Sequence, residues 1–217
     1  MDWLVNEQML TNAEDSFFEI FSAVAWFFAA ILFFFLNRVS VKKNLSGLHK
    51  LWFLLFFILS VFAFGEEISW GDHLFDYSHD LGIVQINAQQ ETNIHNVNLS
   101  KILDLSEESA FYPYLDNFGY ILTPLFYLVL AFIWVFLPLI KLKTSLGNHA
   151  LFKDMPVPSI GFMVFFIIHG VFFVFIDVAL FNVGPVFEMF IGLAAVIVAL
   201  DMIKNANYKD GVLTQEA

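Results

Sequence analysis

The chain contains no cysteine, which excludes disulfides, thiolate metal sites and a cysteine nucleophile, and leaves the compartment open. Charge is scarce as well. Charged residues make up 14% of the chain, with 10 Lys and Arg against 21 Asp and Glu. The formal net charge of -11 says nothing about partners until the charges are placed on the two sides of a membrane. A basic leader is missing too. The first 16 residues carry Asp2, Glu7, Glu14 and Asp15 and no Lys or Arg, so no removable signal peptide is expected. There is no internal repeat and no low-complexity tract.

What fills the chain instead is apolar. Hydrophobic residues reach 59%, mean hydropathy is +0.73, and there are 29 Phe. Soluble domains sit near ~45–50% apolar. An all-α integral membrane protein is therefore expected, with residues 1–217 forming one membrane domain. Five apolar segments, about 17–36, 51–74, 120–140, 160–181 and 187–203, are each long enough to cross when their polar ends are included. The last two are separated by residues 182–186, where Gly184-Pro185 signals a tight antiparallel turn.

The basic residues orient this bundle of five transmembrane helices. Arg38, Lys42, Lys43 and Lys50 follow the first segment, Lys141, Lys143 and Lys153 the third, and Lys204 and Lys209 the fifth. Only Lys101 falls on the other side. The positive-inside rule then puts the N-terminus outside and the C-terminus in the cytoplasm. The outer connection, 75–119, is too long for a turn and is expected to be partly helical and extracytoplasmic. Ile94, Val97, Ile102 and Leu105 recur at near-helical spacing, and Tyr112, Tyr114 and Tyr120 form an interfacial aromatic belt.

The most informative stretch is Gly65-Glu66-Glu67-Ile68-Ser69-Trp70-Gly71-Asp72-His73, at the end of the apolar run Leu51–Phe64. Counted from Leu51, the 15 residues to Gly65 span roughly 22 Å at ~1.5 Å per residue, short of a ~30 Å hydrocarbon core. Glu66 and Glu67 are thus expected about two turns short of the far boundary, where carboxylates are costly and mark function. Glu19, Asp177 and Glu188 are expected at similar depth on other spans, with no Lys or Arg among them. Such carboxylates need protons, a bound cation, histidine partners or water.

Histidines are available. His73 is seven residues and Trp70 four residues after Glu66, one helix face if the helix continues. Glu91 and His95 are four apart and would share a face in a helical stretch. The run around them holds Gln89, Gln90, Asn93 and Asn96, whose amides can orient a substrate. His169 is a lone polar group in mid-span that fits either a shared cavity or a hydrogen bond to a carbonyl. His49 and His149 read as solvated, His79 as a loop residue without a role, and the Phe-rich stretches as lipid-facing or packing surface.

The block 65–71, followed by Glu91-Thr-Asn-Ile-His-Asn96, resembles a group of uncharacterised bacterial polytopic membrane proteins. Their Glu-Glu-Ile-Ser-Trp-Gly block is followed by Gln-Arg, and a Glu-x-Asn-Leu-His-Asn block comes later. The resemblance implies a multi-pass fold in a bacterial inner (cytoplasmic) membrane and brings no activity. Asp72-His73 stands here in place of Gln-Arg, so no role of that arginine carries over. The prenyl-protein-processing proteases also pair two glutamates at a helix end. Their pattern places Arg where this chain has Gly71, and their His-x-x-x-Asn is absent. Alkaline ceramidases need a His-x-x-x-His pair and seven spans. Neither assignment follows.

Three function classes fit these residues. The first is a membrane-embedded hydrolase or transferase acting on a lipid-like substrate at the outer leaflet. Its catalytic residues would be Glu66, Glu67, Glu91 and His95, and its substrate contacts Trp70, Gln90, Asn93, Asn96 and His169. A divalent metal is a candidate cofactor, with Glu91, His95, His73, Asp177 and Glu188 as candidate ligands. The second is a cation- or proton-responsive transporter, channel or sensor. The third is a structural or partner-binding subunit. The expected partners are the bilayer and a lipid-like substrate, with a homo-oligomer as an open alternative and no nucleic acid.

Overall fold

The computed structural model describes residues 17–75, 82–87, 90, 92–144, 149, 155–176, 184–205, 207–209 and 212–214, with only the backbone of residues 73–74, 176, 184–185, 205, 207–209 and 212–214. The helices are α1 (Phe17–Lys42), α2 (Gly47–Glu67), α3 (Asp72–Phe75), α4 (Gly82–Ile86), α5 (Leu99–Ile102) and α6 (Tyr112–Leu115). They continue with α7 (Gly119–Lys143), α8 (Ile160–Ile176) and α9 (Gly184–Asn205). A short antiparallel hairpin of β1 (Asn207–Lys209) and β2 (Val212–Thr214) follows α9. Four helices, α1, α2, α7 and the Val186–Lys204 stretch of α9, are long and apolar enough to cross a membrane, and α8 carries a shorter apolar stretch, Ile160–Phe175. The chain divides into two compact units, 1–64 with 133–217, and 65–132.

In the first unit, α1 ends where Asn44 takes a left-handed φ of 51°. Leu45 N then donates to Ser40 O at 3.0 Å and Asn44 N to Val41 O at 3.1 Å. This pairing satisfies the last carbonyls of a helix that closes on a left-handed residue. Ser46 Oγ accepts from His49 N at 3.3 Å and starts α2, so the loop is only a few residues long. Phe33 stacks on Phe56 with centroids 4.9 Å apart, Phe27 meets Phe64, and Asn37 Nδ2 donates to Lys50 O. These contacts make α1 and α2 an antiparallel hairpin.

The same end gathers the other helices. Leu137 of α7, Met155 and Val157 form a buried cluster against Leu48 and Trp52 of α2. Lys141 Nζ donates to Met155 O at 2.6 Å. Asp201 near the end of α9 accepts from Ser159 N and Ser159 Oγ, each at 2.7 Å, while Ser159 Oγ accepts from Phe162 N and caps α8. At the opposite end Ser22 Oγ donates to Glu188 O at 3.4 Å. A Cβ on Gly192 would stand 3.2 Å from Ala25 Cβ and from Ser22 O, so α1 and α9 approach closely through small residues. From the two ends together, α1 and α9 run parallel, and α8 runs antiparallel to α9. Arg38, Lys42, Lys43, Lys50, Lys141, Lys143 and Lys204 all belong to the first end, and Glu19 and Glu188 to the other.

Within α7 the backbone widens into a π-helical turn over Phe132–Phe136. Pro138 lacks the N–H that would bond the Trp134 carbonyl, and a wider turn relieves that mismatch. Trp134, in this turn, is buried edge-on against Phe162 and Phe166.

Three expectations change. First, α2 begins at Gly47, not Leu51, so its 21 residues span roughly 31 Å, close to a full core thickness. The length argument for holding Glu66 and Glu67 two turns deep no longer applies. Second, the helix does not continue to Leu74. It stops at Glu67, because Ser69 (φ 46°), Trp70 (φ 52°) and Gly71 (φ 93°) turn left-handed. Third, residues 92–98 are irregular rather than helical, so a shared helix face for Glu91 and His95 has no basis there. Glu91, His79, Lys153, Asp177 and residues 182–183 lie outside the described residues.

Candidate functional site

The second unit is built around Glu66, only 8% exposed in the last turn of α2. A buried carboxylate is costly unless donors surround it. Four do. Trp70 Nε1 donates to Oε1 at 2.5 Å. The other oxygen, Oε2, accepts from Ile94 N and His95 N, each at 2.9 Å, and from His95 Nδ1 at 3.0 Å. Each such bond to a charged group is worth about 1.5–3 kcal/mol. The segment 92–98 therefore folds over the helix end because its backbone N–H groups go to Glu66, not to helical carbonyls.

The left-handed turn makes the indole reach back. Two non-glycine residues there cost roughly 1–2 kcal/mol each. The Trp70–Glu66 bond, Gly71 N donating to Ile68 O at 2.8 Å, and Thr92 Oγ1 donating to Ser69 O offset that cost. Gly65 is required underneath, since a Cβ on it would lie 2.8 Å from Cε3 and Cζ3 of Trp70. Trp70 and Glu66 thus meet, as the four-residue spacing suggested, but across a turn and not along a helix.

His95 is placed with equal care. Its Nδ1 faces Glu66, and its Nε2 lies 3.1 Å from Asn96 Nδ2, which fits a ring protonated on Nδ1 and accepting at Nε2. Its side chain is 34% exposed against 10% for Glu66, so the ring can be reached while the carboxylate is shielded. The His95 carbonyl packs where a Cβ on Gly119 would stand, 2.8 Å away, locking the segment against the start of α7.

The amides of the run serve the scaffold. Asn87 Nδ2 donates to Asn93 O at 2.8 Å and to Asn93 Oδ1 at 3.0 Å, and Asn87 pairs with Val97 in an isolated bridge. Asn93 and Asn96 are buried, and Asn117 Nδ2 reaches Asn96 Oδ1 at 3.5 Å. Asn98 Oδ1 caps α5 through Lys101 N at 2.9 Å, while its Nδ2 donates to Asp116 at 2.6 Å. Gln90 is exposed at a left-handed φ of 63°.

Of the candidate residues, the structure brings together Glu66, Trp70, His95, Asn93 and Asn96. Asn93 joins through a 3.5 Å contact from its Nδ2 to Ser69 Oγ. Glu67 is half-buried one residue beyond Glu66. His169 belongs to the first unit, on the exposed face of α8, with Nδ1 on its own Phe165 carbonyl at 2.9 Å. Glu188 belongs to the first unit as well. Among the described residues no three His, Asp or Glu side chains group closely enough to hold a metal ion. Sequence reasoning gave no role to Thr92, Asp116 or Gly119, and quoted Gly65 without the close contact it makes. Only the Asn98-x-x-Lys101 cap carries a local signal; the others act through space.

Among the described residues the chain is helical, with four helices of membrane-crossing length and apolarity and a carboxylate–histidine pair at the end of one of them. Comparison with family models, with curated proteins and with solved structures finds no match.

Proposed function

We propose that this chain is a five-span protein of a bacterial inner membrane, with its N-terminus outside, whose Glu66–His95 pair acts on a lipid-like substrate at the outer leaflet as a hydrolase or transferase. The parallel run of α1 and α9, with α8 antiparallel to α9, supports an odd number of crossings, and the basic residues gathered at one end support the orientation. The single observation that carries the chemistry is His95 Nδ1 on Glu66 Oε2 at 3.0 Å, with the ring itself accessible.

In this reading Glu66 fixes the tautomer and steadies the ring when it becomes positive. His95 Nε2, once Asn96 swings aside, takes the proton from a water or acceptor hydroxyl as that oxygen attacks an ester, amide or phosphodiester. The same nitrogen returns the proton to the leaving group.

The test is full-length protein in liposomes of total bacterial lipid extract, with products followed by mass spectrometry. Product should form with wild type and fall at least about a hundredfold with His95→Gln. Equal product from both would sink the proposal. A second reading, a partner-binding or structural subunit, is favoured by the full occupation of Glu66 by donors of its own fold. No turnover by wild type, together with a cellular phenotype unchanged by Glu66→Gln plus Glu67→Gln, would favour that reading.

A further inference from the structure

Beside the α4–α5 region of the second unit lies a cavity of about 320 Å³, lined by Val84, Gln85, Asn87, Gln90 and Lys101. Its size falls at the lower end of small-ligand sites. Its walls are held in place. Asn87 is bonded to Asn93, and the Asn98 cap fixes the backbone of Lys101. The groups facing the space are a different matter: among the described residues the side chains of Lys101, Gln85 and Gln90 have no partner. Lys101 is the one basic residue of its unit, and Asp104, three residues on, does not pair with it.

We infer that this cavity binds a phosphate-bearing ligand through Lys101 and the amides of Gln85 and Gln90. An ammonium offers three rotatable donors around a point charge, and two amides add donors from other directions. A tetrahedral phosphate accepts from all of these, whereas a planar carboxylate is better matched by the fork of an arginine. Ile102 and Leu103, next to Lys101, are 53% and 58% exposed. An apolar pair beside a cation suits the level where acyl chains give way to phosphates. The phosphate can come from a lipid headgroup or from a soluble ester. The inference goes beyond the Glu66–His95 reading and does not depend on it.

The experiment uses delipidated full-length protein in an uncharged detergent and native mass spectrometry. The probes are dihexanoyl phosphatidylglycerol, glycerol phosphate and phosphate-free dihexanoylglycerol. At least one phosphate probe should bind, and Lys101→Gln should weaken it about tenfold or more, as expected for a charged hydrogen bond. Lys143→Gln, the same charge change at the basic end of the first unit, should leave affinity unchanged. Among the described residues the Lys101 side chain makes no hydrogen bond or ion pair, so the variant should unfold at the wild-type temperature. Lys101-dependent binding of phosphatidylglycerol alone identifies a headgroup site; equal dependence for glycerol phosphate identifies a soluble ester. The inference is overturned if neither phosphate probe binds, if Lys101→Gln binds as wild type does, if Lys143→Gln weakens binding equally, or if dihexanoylglycerol binds with the same Lys101 dependence.

Discussion

Glu66→Gln is the sharpest perturbation of this fold, because all four groups around the carboxylate are donors. An amide has one acceptor oxygen and one NH2. Facing its oxygen to Ile94 and His95 keeps three bonds, now to a neutral group, and turns the NH2 toward Trp70 Nε1, a donor that sat 2.5 Å from an oxygen. One charge-assisted bond is lost, at about 1.5–3 kcal/mol, and a part-buried donor is left facing another donor, at about 1–3 kcal/mol. A total of about 3–5 kcal/mol should appear as local opening of the segment over the helix end. Hydrogen exchange of a peptide covering residues 92–98 reads this directly, and its amides should exchange two or more orders of magnitude faster. Trp70→Phe removes the opposing donor and keeps most of the ring. In the double variant Glu66→Gln, Trp70→Phe the second change should therefore cost less than it does alone, by about 1 kcal/mol or more. Exchange within threefold of wild type for Glu66→Gln, or strict additivity in the cycle, would refute the geometry.

Other consequences are simpler to read. Gly65→Ala gains about 1 kcal/mol of helix propensity but drives a Cβ to 2.8 Å from the Trp70 ring, costing about 1–3 kcal/mol plus the indole bond. It should lower the thermal midpoint in wild type and be tolerated in a Trp70→Ala background. Gly119→Ala meets Asn117 Oδ1 and the His95 backbone carbonyl, each at 2.8 Å, and the backbone carbonyl cannot swing aside as a side chain can, whereas Gly161→Ala meets Ser159 Oγ at an ordinary 3.6 Å. The first should destabilise by more than about 1 kcal/mol and the second should be neutral or stabilising, by thermal unfolding in detergent. Because the chain has no cysteine, single cysteines can report orientation. With an impermeant thiol reagent on intact cells, Glu108→Cys should label, and Lys43→Cys and Lys143→Cys should label only after lysis.

How much of this was legible beforehand depends on the range of each interaction. Apolar length and basic residues are local or additive quantities, and they located the long helices, the basic end and the 65–71 block before any coordinates. The spacing of Glu66 and Trp70 was read as a helical face; they do meet, but only because Ser69 and Trp70 adopt left-handed backbone that composition does not announce. The Asn-rich run was read as substrate-orienting amides; that Asn87 and Asn93 bond each other and Asn98 caps a helix was not legible in the run. Glu66 and His95 were grouped in one catalytic set from residue type, and they do meet; that the backbone N–H groups of Ile94 and His95 would share the same carboxylate oxygen had no signal in the spacing.

The amino-acid order alone determined that the chain is helical and apolar enough for a bilayer, since burying unpaired backbone in hydrocarbon is prohibitive and only residue type is needed to see it. Tertiary structure decided which carboxylate is held, by which donors, and which ring is left accessible beside it. Those outcomes rest on backbone N–H groups and close glycine contacts brought together across the fold, and every residue has a backbone N–H, so no pattern of side chains marks the ones that will be used.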